Sequence, residues 1–541
     1  FTASTLLYGQ KFTGTLTGTV TDPTGAVVPG AEIKVTSQTT GLARTVVSNN
    51  DGIYAVPELN PDSYTVSCTK PGFKQTIAKD VSVHVADVRP LNLTLAVGTT
   101  TELVEVSAAA VALQTESGEV SSTMVSQQVQ ELPLNGRNFV QLTTLVPGAA
   151  VSETFDNKNK GLFAGVDISF SGSPSVNNQW TVDGAANNDI GSQRTILIYP
   201  SIDNIDEFKI QRNSYGPEYG GAAGAQVNVV TKGGGNNLHG DAYYFGRNDV
   251  LNAKNFFLAN DCGPGDPSCT KQMARQNDWG YTLGGPIKKD KLFFFWSEEW
   301  NNQRRGVVHR HWVPSAAELA GNFNDLVGCP ASSLAPALPV DPATGAPFPN
   351  NTIPANRLSP AGQAYLAVLP VPTRGPCNQF NWINQVKIPV NWREDSVRGD
   401  WNVTHKNTLM IRYTNDAWNN FLHADESAGL WGDSDYPALS DNWIQPGKGA
   451  VAKLTTTLTN TAVNDFQFSW SGNRINVTRG GDQPALNDKI NSAMPRLFPF
   501  NDKLHGTQAA APQYWTGGAD PSGELGILSP WQNRQDLFVW K

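Results

Sequence analysis

The chain has 541 residues, with 40 Lys and Arg against 48 Asp and Glu, a formal net charge of −8. Charged residues make up only 16%, while Gly (50), Pro (35), Phe (23) and Trp (15) are plentiful, which favours a β-rich chain over a helical one. The acidic balance offers no electrostatic footprint for nucleic acid, and no apolar run reaches the length of about 18 residues that a transmembrane helix needs, which leaves a membrane β-barrel open.

Residues 1–10, FTASTLLYGQ, read like the end of a secretory signal, with Gly9 near a plausible cleavage point. The charged start of such a signal and an initiator Met are missing, so a chain incomplete at its amino end is expected; a flexible mature terminus is the alternative. Residues 12–98 alternate strand patterns with Pro/Gly turns: GTLTGTVTD, then DPTGAVVPG, then AEIKVTSQ with Ile33 and Val35 between polar neighbours. DSYTVSCTKPGF puts Tyr64, Val66 and Cys68 on one face. Short strands at such spacing predict a small β-sandwich. GTVTDPTGAVVPGAEIKVT followed by DGIYAVPELNPDSYTVSCTKPGF resembles the carboxypeptidase regulatory-like domain. The resemblance implies a transthyretin-like sandwich with a structural or binding role. Similar domains are described as carbohydrate-binding-like folds, but no Trp offers a sugar platform here.

Residues 99–130 read as a linker containing one β-prone run, Glu102, Leu103, Val104, Glu105, Val106 and Ser107. Such a run either lies in the linker or adds itself to an exposed sheet edge of a partner.

Residues 131–235 carry the most specific patterns. ELPLNGRNFVQLTTLVPGA comes first, then WTVDG, a strand leading into a turn at Asp183 and Gly184. The third segment is NIDEFKIQRNSYGPEYGGAAGAQVNVVTKGG. Gly220, Gly221 and Gly224 allow close backbone approach or positive φ, and QVNVV reads as a strand alternating polar and apolar residues. GGAAGA lacks the Gly-Lys-Ser/Thr ending of a P-loop, and the cysteines show no zinc spacing, so no cofactor and no metal are expected. The three segments, in this order, resemble the plug domain of TonB-dependent outer-membrane transporters, and PLNGRNF resembles the Oar-like group. The pattern falls on Asp183, Gly184, Arg212, Tyr219, Gly220, Ala223, Gly224, Val227, Asn228, Val230, Thr231 and Lys232; Asn213 stands where the family usually has Gly. The resemblance implies that residues 102–107 act as a TonB-box-like segment, pairing with a TonB-type energy-transducing protein in the periplasm.

Residues 236–541 alternate in the manner of a barrel wall. LHGDAYYFGRN opens it, and WGYTLGGPIKKDKLFFFWSEEW reads as two strands joined by a turn over 286–290. Val397, Gly399, Trp401 and Val403 oppose Ser396, Arg398, Asp400 and Asn402; Leu409, Ile411 and Tyr413 oppose Arg412; Phe466, Phe468 and Trp470 oppose Asp465, Gln467 and Ser469. A soluble sandwich gives the same period, but aromatics over 293–296 and at Trp300 fit an interfacial girdle. Very short connections alternating with very long ones, the longest over about 301–390, also favour a barrel. His309 and His311 read as exposed histidines. Cys262 with Cys269, and Cys329 with Cys377, read as loop disulfides in an oxidising compartment, with free thiols as the alternative. A barrel able to hold a plug needs about 22 strands, and seven or eight are found before FVWK, so the chain is expected to be incomplete at its carboxyl end.

The expected architecture is mainly β: a transthyretin-like sandwich, an α/β plug, then the first part of a large antiparallel transmembrane barrel in a Gram-negative outer membrane. The resemblance implies TonB-dependent active import of a bulky nutrient, an oligosaccharide, peptide or metal chelate, with outer-membrane lipid and the substrate as further partners. A surface-exposed binding or adhesion protein on a passive barrel is the alternative. No Gly-x-Ser-x-Gly, HExxH or carboxylate pair supports an enzyme.

Overall fold

The computed structural model describes residues 12–99, 103–107, 117–152, 165–191, 193, 195–253, 271–330, 338–367, 369–378, 380–423, 441–459, 461–479 and 531–541. The signal-like residues 1–10, Glu102, Cys262 and Cys269 fall outside them.

Eight strands build the first module: β1 (Gly14–Thr21), β2 (Glu32–Ser37), β3 (Ala43–Val47), β4 (Ile53–Leu59), β5 (Asp62–Thr69), β6 (Gln75–Val83), β7 (Val88–Pro90) and β8 (Leu93–Thr94). A sheet of order β4-β1-β7, with β8 also on β1, faces the sheet that begins β3-β2-β5-β6. Leu16, Ile33, Val35, Tyr54, Tyr64, Val66 and Cys68 fill the space between them, so the face read from DSYTVSC points into the core. The strand β9 (Leu103–Ser107) joins β6 in parallel and extends this sheet to five strands.

The middle module holds β10 (Val120–Met124), α1 (Ser126–Glu131), β11 (Ala149–Val151), β12 (Ile168–Phe170), β13 (Gln179–Val182), β14 (Ala185–Ala186), β15 (Ile205–Asn213) and β16 (Gln226–Thr231). Five of its strands form a mixed sheet of order β10-β15-β16-β13-β14. Residues 120–130, which read as linker in the sequence, thus belong to this module. The alternation of QVNVV does not mark a solvent face either: every residue of β16 is buried. Its polar side chains are satisfied internally, since Asn228 Nδ2 donates to Gln211 Oε1 at 2.8 Å and Thr181 Oγ1 donates to Asn228 Oδ1 at 2.8 Å. A central strand tolerates buried polar groups when they are paired in this way.

The wall comprises β17 (His239–Arg247), β18 (Ala274–Lys288), β19 (Leu292–His311), β20 (Trp382–Asn402), β21 (Asn407–His423), β22 (Asp441–Thr459), β23 (Ala462–Arg479) and β24 (Trp531–Trp540). They form one antiparallel sheet in chain order. Among the described residues β17 and β24 do not pair with each other. Connections alternate as expected: 289–291, 403–406 and 460–461 are short, whereas 248–273, 312–381, 424–440 and 480–530 are long. The longest loop is shorter than read, because β19 and β20 stay paired as far as His311 and Trp382. Within it Cys329 and Cys377 are joined by a disulfide, with Cα atoms 5.0 Å apart. Pro286 continues β18 rather than opening the turn; the β17 partner register ends at Gly284, so its missing N–H costs no ladder bond there.

The two faces of the wall differ in the sense that a lipid-facing sheet requires. Trp296, Val397, Trp401, Ile411, Tyr413, Phe466, Phe468 and Trp540 are exposed, whereas Ser469 is buried, and Glu299, Glu394, Arg398, Arg412, Asp416, Gln467 and Ser471 are buried against the middle module. A soluble sandwich would reverse this arrangement. The aromatic run 293–296 divides between the faces: Phe293 and Phe295 are buried inside, and only part of the run faces outward. The sequence suggests a girdle in one piece, but strand alternation forces the split. His309 and His311 are also buried rather than exposed, stacked 5.9 Å apart with His311 against Trp382.

Candidate functional site

The candidate site is the seam where the middle module meets the polar face of the wall, together with the clamp that holds the sandwich beneath it. The turn after β13 lies at its centre. Asp183 (φ 48°) and Gly184 (φ 73°) both take left-handed backbone, which is cheap for Gly and tolerable for Asp. A Cβ on Gly184 would also lie 2.9 Å from the ring of Phe12. The turn aims the buried Asp183 carboxylate at β16 and the wall. It accepts from Thr231 N at 2.9 Å and Thr231 Oγ1 at 2.7 Å. It also pairs with Arg412 Nε at 2.8 Å and Arg398 Nη1 at 3.8 Å. Arg412 donates to Val182 O at 3.1 Å, and Arg398 to Thr231 O at 2.6 Å. A buried charge is tolerated when paired and hydrogen-bonded in this manner.

Further along the seam, backbone and side-chain groups of the middle module donate to acidic residues of the wall. Tyr199 N reaches Asp416 at 2.7 Å, while Ser201 N and Asn204 Nδ2 reach Glu394 at 2.7 and 2.9 Å. In the other direction Gln467 Nε2 donates to Asp183 O at 3.2 Å and Ser471 Oγ to Ala186 O at 2.6 Å. The backbone approaches closely: a Cβ at Gly447 of β22 would sit 1.8 Å from Leu197 O. Apolar packing continues across the seam, since Trp392, Trp418 and Ile475 of the wall share one core with Phe139, Trp180 and Phe208.

The expected motif residues fall in different places. Asp183, Gly184 and Thr231 meet at the seam, whereas Asn228 lies within the middle module's sheet between Thr181 and Gln211. Arg212 donates to Pro147 O, Tyr219 is buried and packs edge-on against Tyr215 at 6.2 Å, and Gly220 O accepts from Gln226 at 3.2 Å. Gly224 N donates to Asn177 O at 2.9 Å. These four organise the end of the module away from Asp183. Lys232 N donates to Asn204 O at 2.8 Å. The Lys232 side chain lines a cavity of about 450 Å³ between sandwich, middle module and wall. Burial pushes the Asp206 carboxyl in this cavity up to about 7.

Arg137, within PLNGRNF, carries no local mark of its role. It pairs with Asp203 and, at 3.5 Å, with Glu299 of β19, and its guanidinium lies over the rings of Tyr243 and Phe245 at 4.6 and 4.4 Å. An Arg between two aromatic residues of β17 has no local sequence signal, because its partners lie about a hundred residues away.

The clamp on the sandwich begins where β6 ends. His84 Nδ1 lies 2.7 Å from Glu207 Oε2, Val85 N donates to the other Glu207 oxygen, and Lys209 Nζ donates to Ala86 O at 2.8 Å. The Glu207 hydrogen bond raises the His84 pKa above its ordinary value, against burial, which lowers it. Lys209 also pairs with Glu119, just ahead of β10. On the wall, Lys453 pairs with Glu58 at 3.1 Å and lies 4.2 Å from the ring centre of Phe12. Asn236 N donates to Thr39 O at 2.9 Å, and Asn236 also bonds Asp290 in a short turn. The sandwich therefore sits at the short-turn end of the wall. The run Leu103–Ser107, expected in a linker or on a partner, lies instead on β6 of its own chain. β6 would otherwise present an unpaired edge, and the nearest β-prone run covers it.

Residues 230–538 match the family described as an outer membrane beta barrel domain, and residues 15–96 match the carboxypeptidase regulatory-like domain. The TonB-dependent transporter Oar of Myxococcus xanthus is 29% identical over 310 residues, covering 54% of this chain. The chain spans only 27% of that relative's length. The solved siderophore receptor PirA of Acinetobacter baumannii is 13% identical with a TM-score of 0.41, over 77% of this chain and 44% of PirA. The outer membrane transporter YddB of Escherichia coli is 10% identical with a TM-score of 0.43, over 66% of this chain and 39% of YddB. With its exposed apolar wall face and its match over more than half its length, the chain belongs to the outer membrane β-barrel domain family, with a carboxypeptidase regulatory-like domain ahead of the barrel.

Proposed function

We propose that the protein is a TonB-dependent importer that carries a bulky solute, an oligosaccharide, peptide or metal chelate, across the outer membrane. The observation that carries this reading is the seam: a separate module fills the polar face of the wall and is held there by reversible groups. Asp183 with Arg412, Glu394 with Ser201 N and Asp416 with Tyr199 N are polar contacts that can break and reform without covalent change. A passive barrel has no need of a removable filling. The naming of the relative Oar as a TonB-dependent transporter supports the same reading. Solute would bind among the long loops and on the loop-side surface of the plug. A TonB-type protein on the short-turn side would engage residues 102–107 by strand addition and loosen the plug.

The test is direct. Full-length protein solubilised from outer membranes should capture the periplasmic domain of a TonB-type protein, and deletion of residues 102–107 should abolish that capture. Undiminished capture by the deletion variant would contradict the proposal.

A further inference from the structure

The resting position of β9 carries a consequence for how a partner reaches it. We propose that the sandwich holds the coupling segment in cis, and that a periplasmic partner engages it only after β9 has peeled from β6. This inference rests on the importer reading above and adds a step to it.

The pairing is in register over five positions, from Gln75 opposite Leu103 to Lys79 opposite Ser107. It stops where β6 bends: Asp80 takes a left-handed φ of 57°, and the ladder between β5 and β6 shifts register, as at a bulge. On the outer face Lys79 Nζ lies 2.7 Å from Glu105 Oε1. Both side chains are about half exposed, and a pair of this kind contributes little. A short parallel ladder and one exposed ion pair make a hold that a partner strand can displace.

The same strand is fixed to the plug. His84, Val85 and Ala86 follow β6 directly and grip Glu207 and Lys209 of β15. Lys209 in turn pairs with Glu119, and β10 lies on β15. While β9 stays on β6, both ends of the intervening chain, residues 108–119, are therefore tied to the same assembly. A pull on the segment is then borne by the sandwich and its clamp. Only when β9 peels away does the pull reach β10 and the plug sheet. Capture thus makes partner binding compete with an internal strand, which lowers apparent affinity by the fraction of molecules in which the segment is free.

The test uses the full-length protein in outer-membrane vesicles, with an Ile77→Cys and Glu105→Cys pair at directly opposed positions. Oxidation should join the two strands in the resting protein. The oxidised form should bind the purified periplasmic domain of a TonB-type protein roughly tenfold or more weakly than the reduced form, and reductant should restore binding. Lys79→Glu, which sets a like charge beside Glu105, should strengthen binding relative to the unaltered protein. Failure of the strands to cross-link overturns the capture, and equal affinity of oxidised and reduced forms overturns the need for release, in both cases leaving the importer reading intact. Undiminished binding after deletion of residues 102–107 instead overturns the importer reading itself.

Discussion

Asp183 is the residue on which the seam depends most. It has no exposed surface, two hydrogen bonds from Thr231, and two guanidinium groups within ion-pair reach. Removing the carboxylate leaves Arg412, itself 1% exposed, buried beside an empty space. The loss of one partner of a buried pair costs about 3–5 kcal/mol, because the remaining charge stays desolvated. We expect Asp183→Ala to lower stability by about that amount, seen as a lower temperature for loss of the compact band in heat-modifiability gels. Asp183→Asn, which keeps the shape and one acceptor, should cost less. Asp183 and Gly184 were visible in the sequence as the turn of a strand motif. Their partners Arg398 and Arg412 were visible only as polar residues opposite Val397, Ile411 and Tyr413, since nothing local says what an inward-pointing Arg meets. The same holds for Arg137, whose partners Asp203, Tyr243, Phe245 and Glu299 are all remote in sequence.

At the scale of elements, alternation was the strongest signal in the chain. It placed Ile411 and Tyr413 on one face and Arg412 on the other, and the exposures divide in that way. Alternation alone cannot say which face meets solvent, and it failed for β16, whose polar residues are buried and paired. It also could not foresee that β19 and β20 extend past the apolar band to His311 and Trp382, because a long loop and two long strands have similar composition there. The segment Leu103–Ser107 was readable as a strand in search of an edge, but the choice between a partner's edge and its own depends on a three-dimensional gap beside β6. Lipid exposure of the wall gives an element-level prediction. Ile411→Lys on the outer face should cost up to about 2–4 kcal/mol if it lies near the bilayer midplane, measured as a reduced yield of folded, membrane-inserted protein.

As a whole molecule, the chain combines three modules: a sandwich at the short-turn end of the wall, a middle module against the polar wall face, and the wall itself, one of whose long connections is closed by Cys329 and Cys377. The order of modules was legible, because each carries its own turn spacing and glycine pattern. Their contacts were not, since the clamp joins His84 to Glu207 and Glu58 to Lys453 over large separations in sequence. The wall's apolar face meets lipid while its polar face holds the middle module. Spin labels placed singly at Phe466, Gln467, Phe468 and Ser469 of the full-length protein in bilayers test it most directly. The account predicts strong relaxation by oxygen and weak relaxation by a water-soluble nickel reagent at 466 and 468, with little of either at 467 and 469. Labels at 466 and 468 that are reached by the nickel reagent, or by neither probe, would contradict it.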